Sequence, residues 1–126
     1  SLRTAPSRAP GGLSMTLSEL LEELKEVDPK LYDDISHLEL IGWQQPRNQA
    51  MDHLQGCIQR ACERRGWEID QNYRTRGRDG DLPKNMRYYA VVTSWDNDVH
   101  TYRGMGNSAT KALLAAYVAA IKEEKR

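Results

Sequence analysis

Only two cysteines occur in the 126-residue chain, at Cys57 and Cys62, which excludes a disulfide-built scaffold. They lie on what reads as one helix and point to different sides of it, so a bridge between them is geometrically poor, and both are expected as reduced, packed thiols. No run approaches the roughly 20 apolar residues that a membrane span requires, and no membrane association is expected. No stretch has the form of a secretory signal, and the chain reads as cytoplasmic. Nor is there a surplus of charge: Lys+Arg and Asp+Glu are 18 each, so bulk charge names neither nucleic acid nor an acidic surface as partner. No internal repeat, nucleophile elbow, phosphate-binding loop with its lysine, or metalloprotease helix occurs, and no enzyme activity is expected.

What is present is an ordinary globular composition, 39% hydrophobic and 29% charged, at a length suited to one domain. Residues 1–14, SLRTAPSRAPGGLS, lack periodicity and are expected to be a tag or disordered tail, with a single α+β domain over 15–126. Thr16-x-x-Glu19 has the form of a capping box, and Leu17, Leu20, Leu21 and Leu24 recur at helical spacing behind it. Asp28-Pro29 offers a second helix start, with Leu31, Ile35 and Leu38 on one stripe leading toward Gly42. The polar faces of this pair are acidic: Glu19, Glu22, Glu23, Glu26, Asp28, Asp33, Asp34 and Glu39 stand against Lys25 and Lys30.

A third helix is expected from Asn48, with Met51, Leu54, Ile58 and Ala61 on one stripe and Gly66 as its stop behind Arg64 and Arg65. Trp67, Ile69, Gln71 and Tyr73 then alternate with polar residues, as in a half-buried strand. TRGRDGDLPKN reads as a loop, MRYYAVVTSW as the strongest strand, DND as a turn and VHTYR as a third strand. Ser108 caps a last helix from about Ala109 to Lys125, apolar on more than one side through Leu113, Leu114, Tyr117, Val118, Ala120 and Ile121. Such breadth implies deep burial or a second contact surface, and a homodimer through this helix is one expectation. The order is α-α-α-β-β-β-α, a three-stranded antiparallel sheet with helices packed on it.

Gly104, Gly106 and Ala109 match the letters of the dinucleotide fingerprint G-x-G-x-x-A, but no parallel strand or ribose-binding acid follows the helix. No cofactor is expected, and the glycines read as a strand-to-helix turn. His53 and Cys57 have a two-ligand helical spacing, with His37 and His100 far off in sequence, so no metal site is expected. The acidic pairs Asp33-Asp34 and Asp79/Asp81 lie in polar surroundings that give no reason for a raised carboxylate pKa. Tyr73, Arg74, Arg76, Arg78, Lys84 and Arg87 place an aromatic among cations in or near the loop, the residue types that phosphate contact and base stacking need. Leu17, Leu21 and Leu24 of the acidic helix, with Trp43, are the candidates for an apolar contact with a charged rim.

Two family resemblances follow. From Leu54 to Glu124 the order helix, three strands, helix, ending in HTYRGMGNSATKALLAAYVAAI, resembles the double-stranded RNA-binding domain. In that family the last helix opens Ser-Lys-Lys-x-Ala-Lys. Here Ser108 and Ala112 correspond, while Ala109, Thr110 and Leu113 stand at the phosphate-gripping lysines, a departure that removes much of the electrostatic attraction. From Leu17 to the last helix the chain also resembles small phage and prophage proteins with an ABA-sandwich domain. Its leucine/glutamate opening, Ile41-Gly42-Trp43, and Ala109-Thr110-Lys111-Ala112-Leu113-Leu114-Ala115-Ala116 carry the likeness. The resemblance implies an accessory protein in a bacterial host's cytoplasm, acting on a host or phage protein, with nucleic acid as the alternative partner.

Overall fold

Helix α1 (Leu17–Val27) begins at Thr16, whose hydroxyl accepts from the Glu19 N–H while the Glu19 carboxylate accepts from the Thr16 N–H, at 3.1 and 2.8 Å. The reciprocal pair satisfies two N–H groups that a helix start leaves orphaned. The computed structural model describes residues 16–36 and 48–125. Asp28 joins α1 to α2 (Pro29–Ser36): its N–H donates to the Leu24 carbonyl at 2.7 Å, and its carboxylate accepts from the Leu31 N–H at 3.3 Å. Helix α3 (Asn48–Arg65) stops at Gly66, whose φ of 72° is the left-handed conformation that glycine takes without steric cost.

Strands β1 (Glu68–Tyr73), β4 (Tyr88–Ser94) and β5 (His100–Gly106) form the antiparallel sheet in the order β1-β4-β5, and α4 (Ala109–Glu124) closes the chain's path back across it. The expected α+β architecture and element order are present. One segment departs from the expectation: within TRGRDGDLPKN, expected as a loop, β2 (Arg76–Gly77) and β3 (Gly80–Asp81) form a small hairpin in the β1–β4 connection. Two-residue strands carry no periodicity to read. The hairpin is tied down at its base by Arg74 N–H to the Arg87 carbonyl at 2.8 Å and by the Arg87 guanidinium to the Leu82 carbonyl at 3.0 Å. A 3-10 turn (Lys84–Met86) leads from it into β4.

The sheet continues further than its sequence suggests. Gly104 and Gly106 belong to β5, paired with Ala90 and Tyr88, and the turn comes only at Asn107 and Ser108. The reason for glycine is the helix above. A Cβ on Gly104 would lie 2.2 Å from the Ala112 carbonyl oxygen and 2.6 Å from the Ala116 nitrogen, so only a bare α-carbon admits α4 at this distance.

Helix α4 is the centre of the core. Leu113, Ala116, Tyr117, Ala120 and Ile121 are buried, and so are Leu114 and Val118 on the other side. One hydrophobic cluster joins them with Leu20, Leu21 and Leu24 of α1, Leu54 and Ile58 of α3, and Ala90 and Val92 of β4. The breadth of apolar surface on α4 is therefore accounted for by burial within the chain, and that helix has no apolar face left for a homodimer. Burying one such leucine contributes about 1.5–3 kcal/mol, so much of the fold's stability lies between α4 and the layers on either side. Polar contacts fix the approach of α1. The Tyr117 hydroxyl donates to Asp28 Oδ2 at 2.6 Å, and Lys122 pairs with Glu23. Burial first, and then the Asp28 carboxylate, raise the Tyr117 pKa.

Candidate functional site

Strand direction gives the sheet two distinct ends. Tyr73, Tyr88 and Gly106 are in register at one, next to the hairpin; Glu68, Thr93 and His100 lie at or beside the other, next to the β4–β5 turn. Seven-residue strands set these ends about 20 Å apart.

The hairpin end collects the cations singled out in the sequence. Arg74, Arg76, Arg78 and Lys84 are all exposed there. Tyr73, 55% exposed, stacks on its register partner Tyr88 with ring centroids 4.8 Å apart. The next residue, Arg74, leaves the strand on the opposite face and lies over the Tyr89 ring at 5.3 Å. Arg76 faces Asp81 at 3.7 Å with both side chains about 80% in solvent, 79% and 83%. Arg87 is committed to the hairpin's base. The exposed aromatic and its neighbouring guanidinium thus sit on different sides of the sheet.

The start of α4, where the RNA-binding resemblance would place its grip, is turned inward. Thr110 is 6% exposed, and its hydroxyl lies 3.3 Å from the Met51 carbonyl and 3.2 Å from Gln55 Oε1. Gln71 of β1 donates to the Ala109 carbonyl at 3.1 Å, completing a polar joint between α3, β1 and α4. Lys111 is half-buried; burial lowers its pKa, and the nearby Glu19 partly offsets that. An anion arriving here would meet the carboxylate of α1 beside the lysine.

The leucines proposed for partner contact are spent on the fold. Leu21 and Leu24 are 3% and 0% exposed, and Leu17 packs half-buried against the same cluster. Trp43 lies outside the described residues. An apolar stripe looks the same in sequence whether it covers the chain's own helix or another protein's.

At the β4–β5 turn the apolar residues do face solvent. Trp95 and Val99 are 55% and 52% exposed, two of the large hydrophobics so placed among the described residues. The indole of Trp95 is held, since its N–H donates to Glu68 Oε1 at 3.1 Å. The turn is held too: Asn97 has a left-handed φ of 62°, and the Val99 N–H donates to Asp98 Oδ1 at 2.8 Å. Trp95 follows the alternation of β4: Ser94 is buried on the helix side, and the next residue emerges on the opposite face.

Beside the turn lies a cleft of about 310 Å³, lined by Trp67, Ser94, Asp96, His100, Tyr102, Ala120, Glu123 and Glu124. Burial, with Glu123 and Glu124 next to it, raises the Tyr102 hydroxyl pKa above its ordinary value. Trp67 is 7% exposed, and its buried indole N–H finds no hydrogen-bond partner among the described residues. Arg65 caps this corner, stacking over Trp67 at 5.0 Å and gripping both oxygens of Glu124 at 2.6 and 2.7 Å. A larger cleft of about 510 Å³ lies between α2 and the end of α3, lined by Asp28, Lys30 and Asp34 from one side and Arg64 and Arg65 from the other. Its mixed signs favour no class of ligand.

Among the described residues no group of three His, Cys, Asp or Glu side chains is placed to hold a metal ion. His53 is exposed, and Cys57 accepts from Arg60 at 3.5 Å. Burial pushes the Cys62 thiol up to about 12, with Glu63 adding to this and Arg65 opposing it. No described helix is long and apolar enough to cross a membrane. No protein-family model, curated protein or solved structure matches the chain.

Proposed function

We propose that this chain is a non-catalytic accessory protein of phage or prophage type that acts by binding a protein partner, and that the β4–β5 end of the sheet makes the contact. The observation that carries this reading is Trp95: a large indole, half in solvent, fixed by Glu68 rather than free to collapse. Anchors of that kind dominate interface energetics, and pre-ordering lowers the entropy lost on docking. Val99 is exposed in the same turn, and Glu68, Asp96 and Asp98 supply carboxylates beside the two. The phage assignment rests on the sequence likeness alone.

A second reading, a nucleic-acid module, is favoured by one observation, the exposure of Arg74, Arg76, Arg78 and Lys84 at the hairpin end. Against it stand the opposite facing of Tyr73 and Arg74 and the inward-turned start of α4.

The test is retention of proteins from nuclease-treated bacterial lysate on the immobilised chain, compared with Trp95→Ala and with Arg76→Ala/Arg78→Ala. A protein held by the wild type is expected to be lost by Trp95→Ala, a change expected to weaken binding by roughly 30-fold. Retention that ignores Trp95 overturns this use of the β4–β5 end. Salt-sensitive binding of duplex or single-stranded nucleic acid, lost only in the arginine variant, transfers the function to the second reading.

A further inference from the structure

Alternation along each strand gives the sheet two faces. On one, Ala90, Val92 and Ser94 of β4 are buried beneath α4. On the other, Tyr89, Val91 and Thr93 are half-buried, with Asp70 of β1 and Arg103 of β5 exposed beside them. Tyr89, Val91 and Met105 are not among the hydrophobics that pack against the core, so among the described residues this face lacks a covering layer. Its two ends are engaged: Arg74 lies over the Tyr89 ring at 5.3 Å, and Glu68 accepts from the Trp95 indole at 3.1 Å. The middle row, Asp70–Val91–Arg103, is open. Its carboxylate and guanidinium stand on the two outer strands, about 10 Å apart across β4, and neither has a side-chain hydrogen bond or ion pair among the described residues. We infer that a second copy of this chain packs its own sheet on this face, about a two-fold axis running along β4. The contact lies beside the Trp95 end and does not depend on it.

The order of charges makes the row its own complement. A two-fold along β4 lays β1 of one copy over β5 of the other, so each Asp70 meets the second copy's Arg103, giving two pairs per dimer. A two-fold across the strands would set Asp70 on Asp70 and Arg103 on Arg103, so the charges select between the two arrangements. Sheets stack face to face about 10 Å apart, a gap that an aspartate and an arginine side chain together span. On the axis Val91 packs on Val91, and Tyr89 and Met105 add apolar area in the next row. A polyanion gains less from this face, because Asp70 repels what Arg103 attracts. Three strands of about 20 Å give a footprint of roughly 300 Å² in each copy, well under the roughly 800 Å² per partner of a standard interface, so the dimer is weak. With 18 charges of each sign, two copies approach without net repulsion. The interface is isologous and closes at two copies.

Sedimentation equilibrium on the 126-residue chain up to about 1 mM tests this, a range that reaches a contact of hundreds of micromolar. The mass is expected to rise toward that of a dimer, go no further, and fall back toward monomer in high salt. In ¹⁵N spectra the amides of Asp70, Val91 and Arg103 are expected to shift with concentration while those of the Arg76–Asp81 hairpin hold still. Asp70→Arg puts a cation at both ends of the row, and Arg103→Asp puts a carboxylate at both; each is expected to weaken self-association at least about tenfold. Both positions are exposed, so both variants are expected to fold. Their equimolar mixture is expected to form a heterodimer, because every charge in one row then meets its opposite in the other. A wild type that stays monomeric at about 1 mM overturns the dimer, as do single variants that associate like the wild type or a mixture that forms no heterodimer. Trp95→Ala is expected to keep the dimer while losing the retained protein, so either contact can fail and leave the other standing. A dimer that disappears in Trp95→Ala overturns its placement on the Val91 row.

Discussion

Each end of the sheet carries an arginine paired with a carboxylate, and the two pairs differ in nearly every physical respect. Arg65 and Glu124 meet through two short bonds across 59 positions of sequence, with side chains 33% and 41% exposed, and so fasten the end of α3 to the end of α4. Arg76 and Asp81 lie 3.7 Å apart across a single small hairpin, almost wholly in water. The first is a clamp that keeps a corner of the molecule in one shape. The second leaves its charges available to whatever approaches. Residue type alone does not separate structural ion pairs from recognition surfaces; sequence separation and solvent exposure do.

The largest expected effect breaks both ends together, by displacing the helix that runs between them. Gly104→Ala drives a methyl group into the backbone of α4, and a loss of roughly 3 kcal/mol or more, or failure to fold, is expected in urea denaturation. Next is Tyr117→Phe, which leaves the Asp28 carboxylate without its 2.6 Å donor and is expected to cost about 1–2 kcal/mol. The same residue sets an alkaline limit. Its folded pKa is raised above the ordinary 10.0, so its contribution is fully present below pH 10 and is lost as pH rises through that value and beyond. Thermal melts of the wild type should fall steeply above pH 10, and those of Tyr117→Phe less so.

Two smaller effects sharpen the contrast between the ends. A double-mutant cycle on Arg65→Met and Glu124→Gln is expected to give a coupling of about 0.5–1 kcal/mol, modest because both groups remain partly in solvent. The same cycle on Arg76→Met and Asp81→Asn should give no more than about 0.3 kcal/mol. Equal couplings would erase the distinction between clamp and free charge.

Much of the architecture was legible because local chemistry marks it. The capping box at Thr16 and Glu19, the Asp28-Pro29 junction and the Ser108 cap each name a helix start, and alternation from Trp67 to Tyr73 names a strand. The errors arose where one pattern serves two physical purposes. Glycines at 104 and 106 would suit a turn, yet here they let a helix approach a strand, and nothing in the letters distinguishes the two. Leu21 and Leu24 read as a docking stripe because the helix they dock on lies at the other end of the sequence. The candidate surface was hardest of all. Trp95 ends a strand-like apolar run on the face opposite buried Ser94, and whether anything else in the chain covers that face is not written in any local pattern.

Asp28 has a consequence for the order in which the molecule can be assembled. Its oxygens bond Leu31, three residues away, and Tyr117, 89 residues away. As the chain emerges during synthesis, α1 and α2 can form and cap themselves at once, but the α4 surface that helps bury Leu20, Leu21 and Leu24 is made only later, Tyr117 following Asp28 by 89 positions. Until then these leucines lack their cover, and the acidic faces of α1 and α2 are what holds other chains away.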